Sequence, residues 1–246
     1  MTKLKSGILL AGGNGMRLRP ATKVSNKHLY PVGSKLVIDY SLNTARHLGI
    51  ENLVITLGGE HFSGVVDYVQ DGKEWGLNVS YLHQTKPLGI SHAINLCQPF
   101  LKEDQFAVIL GDNAFQKPIK YNPNLDGAQI FLNRSPHLNL QDFGVAALQN
   151  NSLLRIEEKP KTLNEDLENY AITGCYIFDH HYFDYFAKTK PSARNEWEIT
   201  DIINQYWKNG QLDYQVQKGW WSDLGKLESI DFVRELMKTE PVEWYQ

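Results

Sequence analysis

The chain is poor in cysteine and has no long apolar run. Cys97 and Cys175 are the only two cysteines among 246 residues, which excludes a disulfide framework and a CxxC metal site. The apolar segment 8–11 near the N-terminus is too short for a signal peptide, and no stretch reaches membrane-spanning length. We therefore expect a cytoplasmic protein with no membrane contact.

Other absences exclude whole classes of function. The eight histidines show no HxxxH or HExxH spacing, so none is assigned to a metal. A GxSxG sequence is missing, which argues against a serine nucleophile of the hydrolase type. The net charge of −3 lacks the basic excess typical of nucleic-acid binding. Any anionic ligand must therefore be held by a local cluster of lysines and arginines.

Strand and helix signals alternate through the first half of the chain. Such alternation implies βαβ units, a mainly parallel sheet and helices on both faces, which is an α/β three-layer αβα sandwich. The second half is less regular. Strands are predicted at 8–10, 53–57, 79–82, 106–110, 129–132, 145–148, 153–156, 171–178 and 215–216, and helices at 38–48, 62–69, 90–96, 182–188, 199–207 and 227–237. No repeat or linker is seen, so one domain over 1–246 is expected.

The first strand runs into a loop with three glycines and an arginine. Gly12, Gly13 and Gly15 can adopt positive φ and bring backbone N–H groups close to an anion. Arg17 adds a planar cation suited to phosphate. The loop matches neither the P-loop nor the dinucleotide fingerprint, and an ordinary strand-to-helix turn is the alternative.

Three further segments carry candidate charges. Asp112 follows the predicted strand 106–110, at the edge where open α/β sheets bind ligands; it is a candidate Mg²⁺ ligand or, alternatively, a turn residue. Glu158 and Lys159 follow another strand and could hold sugar hydroxyls and a phosphate, or form a solvated surface. Asp223, after two tryptophans, is a second candidate carboxylate for the metal, or part of the core.

With these residues in place, the chain resembles the sugar nucleotidyltransferase family, and within it the glucose-1-phosphate thymidylyltransferases. Matches to the family's motifs keep the family's order along almost the whole chain. They occupy residues 10–18, 26–31, 84–90, 110–113, 143–145, 157–160, 171–176, 192–201 and 221–225. The resemblance implies a Rossmann-like fold with a nucleotide-binding half, 1–115, and a sugar-phosphate-binding half, 116–246.

The resemblance also implies a reaction and a role for each site residue. A sugar 1-phosphate attacks the α-phosphorus of a nucleoside triphosphate and displaces pyrophosphate, with Mg²⁺ as cofactor. The implied roles are nucleotide binding by Leu10, Ala11, Gly12, Gly13, Gly15, Gln84 and Gly89; catalysis by Arg17, Lys27, Asp112 and Lys159; sugar-phosphate binding by Gly144, Glu158, Lys159, Ile172, Tyr176 and Arg194; and metal binding by Asp112 and Asp223. Positioning and charge neutralisation would then supply the catalysis.

The base, the sugar and the assembly are less closely defined by the resemblance. We expect dTTP or UTP with a hexose 1-phosphate, most simply glucose 1-phosphate; a cytidylyl- or guanylyltransferase and a non-catalytic nucleotide-sugar-binding subunit are the alternatives. Leu88, Leu224 and Lys226 depart from the pattern of the thymidylyltransferases. The chain resembles a short form without the C-terminal extension of longer members. A homo-oligomer is expected, with Trp244 and Tyr245 as exposed aromatic residues that could cover a partner.

Overall fold

The protein is described by a computed structural model that covers residues 4–101, 104–135 and 137–246. It contains thirteen strands and six α-helices among these residues. The strands are β1 (Ser6–Ala11), β2 (Pro31–Val32), β3 (Lys35–Leu36), β4 (Asn52–Leu57), β5 (Asn78–His83), β6 (Gln105–Leu110), β7 (Asn113–Phe115), β8 (Ala128–Asn133), β9 (Gly144–Gln149), β10 (Ser152–Glu158), β11 (Glu168–Asp179), β12 (Leu212–Val216) and β13 (Trp221–Asp223). The helices are α1 (Val37–His47), α2 (Ser63–Val69), α3 (Ile90–Leu96), α4 (His181–Phe186), α5 (Ile199–Lys208) and α6 (Leu227–Leu236).

Nine of the strands form one mixed sheet. Its order is β10-β9-β11-β6-β1-β4-β5, with β8 paired to β11 and β12 paired to β8. Strands β6, β1, β4 and β5 are parallel, whereas β11 pairs antiparallel with β6, β8 and β9. The predicted α/β fold is confirmed: the parallel strands form the core of the sheet, and the second half of the chain adds antiparallel strands to it.

Alternate residues of the central strands supply two apolar cores. Leu9 and Ile55 pack in the core that includes α1 and α2, whereas Ile8 and Val54 pack in the core that includes α3, α4 and α5. Successive side chains of a strand point to opposite faces, so the buried strands of the first half are apolar on both sides. Helices consequently cover both faces of the sheet, which gives the three layers.

A two-stranded ribbon outside the main sheet is absent from the prediction. Strand β7 pairs antiparallel with β13, so that Asn113 lies opposite Asp223. Three residues give too short a pattern to identify a strand, and no strand was predicted at either position. The short hairpin of β2 and β3 was missed for the same reason. Every predicted helix and strand is present, with ends that differ by up to three residues.

The C-terminal residues pack on α1. Asn43 donates through Nδ2 to the carbonyl of Glu243 and accepts through Oδ1 from the backbone N–H of Tyr245. Trp244 lies 5.1 Å from the ring of Tyr40, so this side chain is partly buried within its own chain, contrary to our expectation of an exposed residue. Tyr245 is 48% exposed. The homo-oligomer remains a prediction, as does the division into functional halves.

The helices are short relative to a lipid bilayer. None of those formed by the described residues is long and apolar enough to cross a membrane. The cytoplasmic location remains a prediction.

Candidate functional site

Two adjoining cavities lie at the carboxyl ends of the parallel strands. The first cavity is lined by Leu10, Gly12, Gly13, Lys27, Gln84, Gly89, Arg194 and further residues. The second cavity is lined by Arg17, Gly144, Ile172, Tyr176, Thr200, Asp223 and further residues. Asp112, Glu158 and Lys159 line both. Ligands in the two cavities would therefore meet at these three charged side chains.

The glycine loop follows β1 and forms one wall of the first cavity. Gly13 has a φ of +96° with open space where a Cβ would be, so its backbone faces the cavity without obstruction. Gly15 has a φ of +57°, and a Cβ there would lie 2.9 Å from the Cβ of Lys27. Ala11 is buried in β1. Among the predicted nucleotide residues, Ala11 and Gly15 thus support the loop and lie outside the lining.

The opposite wall of the first cavity comes from the segment after β5. The backbone N–H of Gln84 donates to the carbonyl of Leu57 at 2.7 Å, which continues the sheet ladder by one residue. Gly89 has a φ of +98°, and a Cβ on it would lie 2.7 Å from the backbone nitrogen of Trp197. Glycine is required here because α3 begins against another backbone segment.

Asp112 is held by a lysine and by an amide. Its Oδ2 accepts from Nζ of Lys27 at 2.6 Å, and its Oδ1 accepts from Nδ2 of Asn113 at 3.1 Å. Burial alone would raise the pKa of Asp112, but the charges of Lys27 and the hydrogen bonds outweigh it and lower that pKa. Asp112 is therefore ionised at neutral pH.

Asp223 is brought beside Asp112 by the ribbon of β7 and β13. The backbone N–H of Leu224 donates to the carbonyl of Asp112 at 2.7 Å. Oδ1 of Asp223 accepts from the N–H of Gly225 at 2.6 Å, and Oδ2 lies 3.7 Å from Nη2 of Arg17. Burial and the charge of Asp112 raise the pKa of Asp223. Two carboxylates that repel each other in this way provide a place for a cation.

The donor set of this pair fits Mg²⁺. No group of three or more histidine, cysteine, aspartate or glutamate side chains in residues 4–101, 104–135 and 137–246 is arranged to hold a metal ion. Mg²⁺, however, is usually held by one or two carboxylates, with water and substrate phosphates completing the octahedron. Asp112 and Asp223 supply that number of hard oxygen ligands.

The second cavity is shaped by β9, β10 and β11. A Cβ on Gly144 would lie 2.8 Å from Cγ2 of Thr200 and 3.6 Å from Cδ1 of Ile172, so the floor of the cavity has no room for a larger residue. Tyr176 is buried in its wall. Burial and the charge of Glu198 raise the pKa of Glu158, whose Oε2 accepts from the hydroxyl of Thr200 at 3.3 Å.

Arg194 and Lys159 are cations in very different surroundings. Arg194 donates to both carboxylate oxygens of Glu198, at 3.2 and 2.8 Å, and to Oε1 of Glu158 at 3.0 Å. Lys159 forms no ion pair with any residue in the described part of the chain and has a φ of +42°, a conformation uncommon outside glycine. The charge of Lys159 acts on the adjacent Glu158, but an incoming anion can pair with Lys159 without displacing a carboxylate at ion-pair distance.

Asn113 and Glu198 are site residues to which the sequence prediction gave no role. Oδ1 of Asn113 accepts from the N–H of Gly174 at 2.9 Å and from Nε1 of Trp221 at 2.7 Å, so one amide joins three strands around Asp112. Glu198 orients Arg194. The partners of Asn113 lie far away in the chain, so no local sequence signal indicates its role. Glu198 lies four residues from Arg194, but this spacing alone does not distinguish an ion pair of the site from one on a solvated surface. Lys226, one of the departures noted above, pairs with Asp142 at 2.6 Å.

Comparisons of this chain with known proteins identify the family to which it belongs. Residues 6–239 match the nucleotidyl transferase family. The chain is 36% identical over 243 residues to a glucose-1-phosphate thymidylyltransferase of Streptomyces griseus, covering 95% of this chain and 67% of that protein. It is 34% identical over 231 residues to the low-salt glycan biosynthesis nucleotidyltransferase Agl11 of Haloferax volcanii, covering 91% of this chain and 63% of Agl11. The chain therefore spans less than two thirds of that relative's length.

Solved structures share the fold along nearly the whole chain. A Bacillus anthracis protein assigned as a glucose-1-phosphate thymidylyltransferase, crystallised with sucrose, matches with a TM-score of 0.88 and 39% identity over 98% of both chains. A UDP-glucose pyrophosphorylase complexed with UDP-glucose matches with a TM-score of 0.80 at 23% identity, covering 96% of this chain and 98% of that one; at that identity the likeness concerns the fold. The chain belongs to the nucleotidyl transferase family.

Proposed function

We propose that the protein transfers a nucleotidyl group from dTTP or UTP to a hexose 1-phosphate, most simply glucose 1-phosphate, and releases pyrophosphate. The observation that carries this proposal is the junction of the two cavities at Asp112, Glu158 and Lys159. A nucleotide in the first cavity and a sugar phosphate in the second would meet there. The relatives named as glucose-1-phosphate thymidylyltransferases support the choice of substrates.

The residues of the first cavity would hold and polarise the triphosphate. The backbone of Gly12 and Gly13 gives the phosphates a close approach, and Gln84 lies where a base edge would fit. Lys27 is fixed by Asp112, so its ammonium is already in place before the substrate arrives. Arg17, whose side chain is 56% exposed, can turn from Asp223 to the departing pyrophosphate.

The residues of the second cavity would hold the attacking sugar phosphate. Glu158 can accept hydrogen bonds from sugar hydroxyls, while Lys159 at the junction and Arg194 in the adjoining wall of the first cavity attract the phosphate. Two anions must approach within bonding distance, so the cations lower the repulsion between them. No side chain need form a covalent bond, because the phosphate oxygen itself is the nucleophile.

Asp112 and Asp223 would hold the Mg²⁺ that this proposal includes. When bound, the ion would neutralise charge on the triphosphate and on the attacking phosphate. Asp112 is suited to this role because it is ionised at neutral pH, and Asp223 because the ribbon fixes it opposite Asn113.

A substrate panel with a matched pair of variants tests the proposal. Pyrophosphate release is measured for glucose 1-phosphate with dTTP, UTP, dCTP, CTP, GTP and ATP, with and without EDTA. We expect release with dTTP or UTP that EDTA abolishes and Mg²⁺ restores. Asp112→Asn should reduce kcat by about 10³-fold, whereas Asp71→Asn, which removes an exposed carboxylate paired with Lys73, should not.

Two outcomes would contradict the proposal. Release confined to dCTP, CTP or GTP would favour the cytidylyl- or guanylyltransferase alternative. Binding of a nucleotide sugar without pyrophosphate release from any triphosphate would favour the non-catalytic subunit.

A further inference from the structure

The amide of Gln84 is held in one orientation by a histidine behind it. Nε2 of Gln84 lies 3.0 Å from Nδ1 of His92, while Oε1 points to the glycine loop, 3.8 Å from the position that a Cβ on Gly12 would take. No described residue donates a hydrogen bond to Oε1. The first cavity is therefore presented with a carbonyl oxygen, and the amino group of Gln84 is turned away from it.

His92 is itself fixed by packing. Its ring lies 5.7 Å from that of Trp197. Trp197 in turn is tied to the start of α3, since its N–H donates to Leu88 at 2.9 Å and its carbonyl accepts from Ser91 at 3.2 Å. His92 lies outside the lining of the first cavity, so it acts on a ligand only through Gln84.

The protonation state of His92 decides which end of the amide it binds. Burial lowers the pKa of His92, so the ring is neutral at physiological pH and one of its nitrogens is an acceptor. With the proton on Nε2, Nδ1 accepts from the amino group of Gln84. A protonated ring would offer only donors, and the amide would have to turn over to meet it.

A fixed carbonyl oxygen distinguishes between pyrimidine bases. Thymine and uracil carry a hydrogen on N3, which can donate to that oxygen. Cytosine has a lone pair on N3, which the oxygen would repel. An amide that could turn over would offer a donor to cytosine instead and would lose the distinction.

We infer that His92 is a positioning residue that orients the amide of Gln84 and thereby makes the first cavity selective for pyrimidines with an N3–H group over cytosine. This inference rests on the proposed function, because it requires the base of a nucleotide to lie against Gln84. It adds a residue outside the cavity that determines which base is accepted.

The test compares three variants by the ratio of kcat/KM for dTTP to that for dCTP. His92→Phe keeps an aromatic ring against Trp197 but removes the acceptor, and the ratio should fall about tenfold or more. His92→Asn places an amide oxygen near the former Nδ1 and should restore most of the ratio. His83→Phe, an exposed histidine one residue before Gln84 that packs on Phe62, should keep the wild-type ratio.

The KM for glucose 1-phosphate should stay within about twofold in all three variants, because the second cavity is unchanged. If His92→Phe does not fold, His92→Leu removes the same acceptor without the ring. If the wild type is active and the folded His92 variant keeps the wild-type ratio of kcat/KM for dTTP to that for dCTP, the role of His92 is overturned and the proposed function is not. A wild type that releases no pyrophosphate from any pyrimidine triphosphate would overturn the proposed function and this inference with it.

Discussion

Two parts of the site differ in how they meet a ligand. One is the neutral wall of the first cavity, formed by Gly12, Gly13, Gly89 and the amide of Gln84. The other is the set of charged side chains that line both cavities, among which Lys27 and Arg194 are already paired with carboxylates. Backbone surfaces keep their shape whether or not a ligand is present, whereas paired charges must exchange partners when an anion enters. The neutral wall is thus preformed, and the ion pairs must rearrange.

The cations around the boundary show the same contrast within one site. Lys27 and Arg194 already have carboxylate partners at 2.6 and 2.8 Å. Lys159 has no ion-pair partner among the residues that the structure describes. A phosphate could bind Lys159 without displacing an ion-paired carboxylate, which makes its charge more available to an anion than those of Lys27 and Arg194.

Among the tests of this contrast, replacement of Lys159 should give the largest effect. Lys159→Gln removes the free cation, so kcat/KM for glucose 1-phosphate should fall by about 10²-fold or more. Lys161→Gln is the matched control, because Lys161 is exposed and lies outside both cavities. Steady-state kinetics by pyrophosphate release measures both. If both variants behaved like the wild type, the contrast between free and paired cations would have no functional meaning.

A comparison of two glycines tests whether the neutral wall of the first cavity is preformed. Gly89→Ala places a Cβ 2.7 Å from the backbone of Trp197 at a positive φ, and should lower the free energy of unfolding by about 2 kcal/mol or more. Gly13→Ala meets open space, so only the backbone cost of about 1 kcal/mol applies. Urea unfolding gives both values. Equal losses of unfolding free energy in the two variants would show that the close contact of Gly89 with the backbone of Trp197 does not constrain the wall of the cavity.

The neutral wall and the ion pairs also differ in how much of them the sequence predicts. Glycines after a buried strand and the motif around Gln84 are local patterns, so the residues of the neutral wall can be predicted from short segments. The ion pair of Arg194 with Glu158 and the hydrogen bonds of Asn113 join distant segments, and no short pattern indicates them. The antiparallel strands of the second half could be located but not ordered, because their pairing depends on contacts across the sheet.

His92 illustrates a different limit of sequence reading. A single histidine on a helix without metal-ligand spacing predicts nothing about function. The role proposed for it comes from one hydrogen bond to Gln84, and such a bond requires the three-dimensional arrangement of α3 beside the segment that follows β5.

The pH dependence of stability should give the smallest effect. Because the pKa of Glu158 is raised above its ordinary value of 4.5, the folded protein binds more protons at this carboxyl than the unfolded protein does. The contribution of Glu158 to the free energy of unfolding is therefore fully present below that ordinary value, where the carboxyl is protonated in both states. It is lost as the pH rises through the raised pKa, because the folded protein must then hold the ionised carboxylate. Glu158→Gln should therefore gain stability relative to the wild type as the pH is raised from about 4 to 8.

Urea unfolding of the ligand-free protein across this pH range measures that gain. Glu157→Gln, which removes the neighbouring carboxylate paired with Arg155, serves as the control for loss of one charge. The free energies of unfolding of Glu158→Gln and the wild type could instead differ by the same amount at every pH. That result would mean that the fold does not disfavour the ionised form of Glu158.

The ribbon of β7 and β13 has a consequence for folding. It joins Asn113 to Trp221 across 108 positions of the chain, so the glycine loop and Asp112 are synthesised well before Asp223. A chain that is still being synthesised can carry the first carboxylate while the second is missing. A site that needs both carboxylates is therefore completed only by the C-terminal part of the chain.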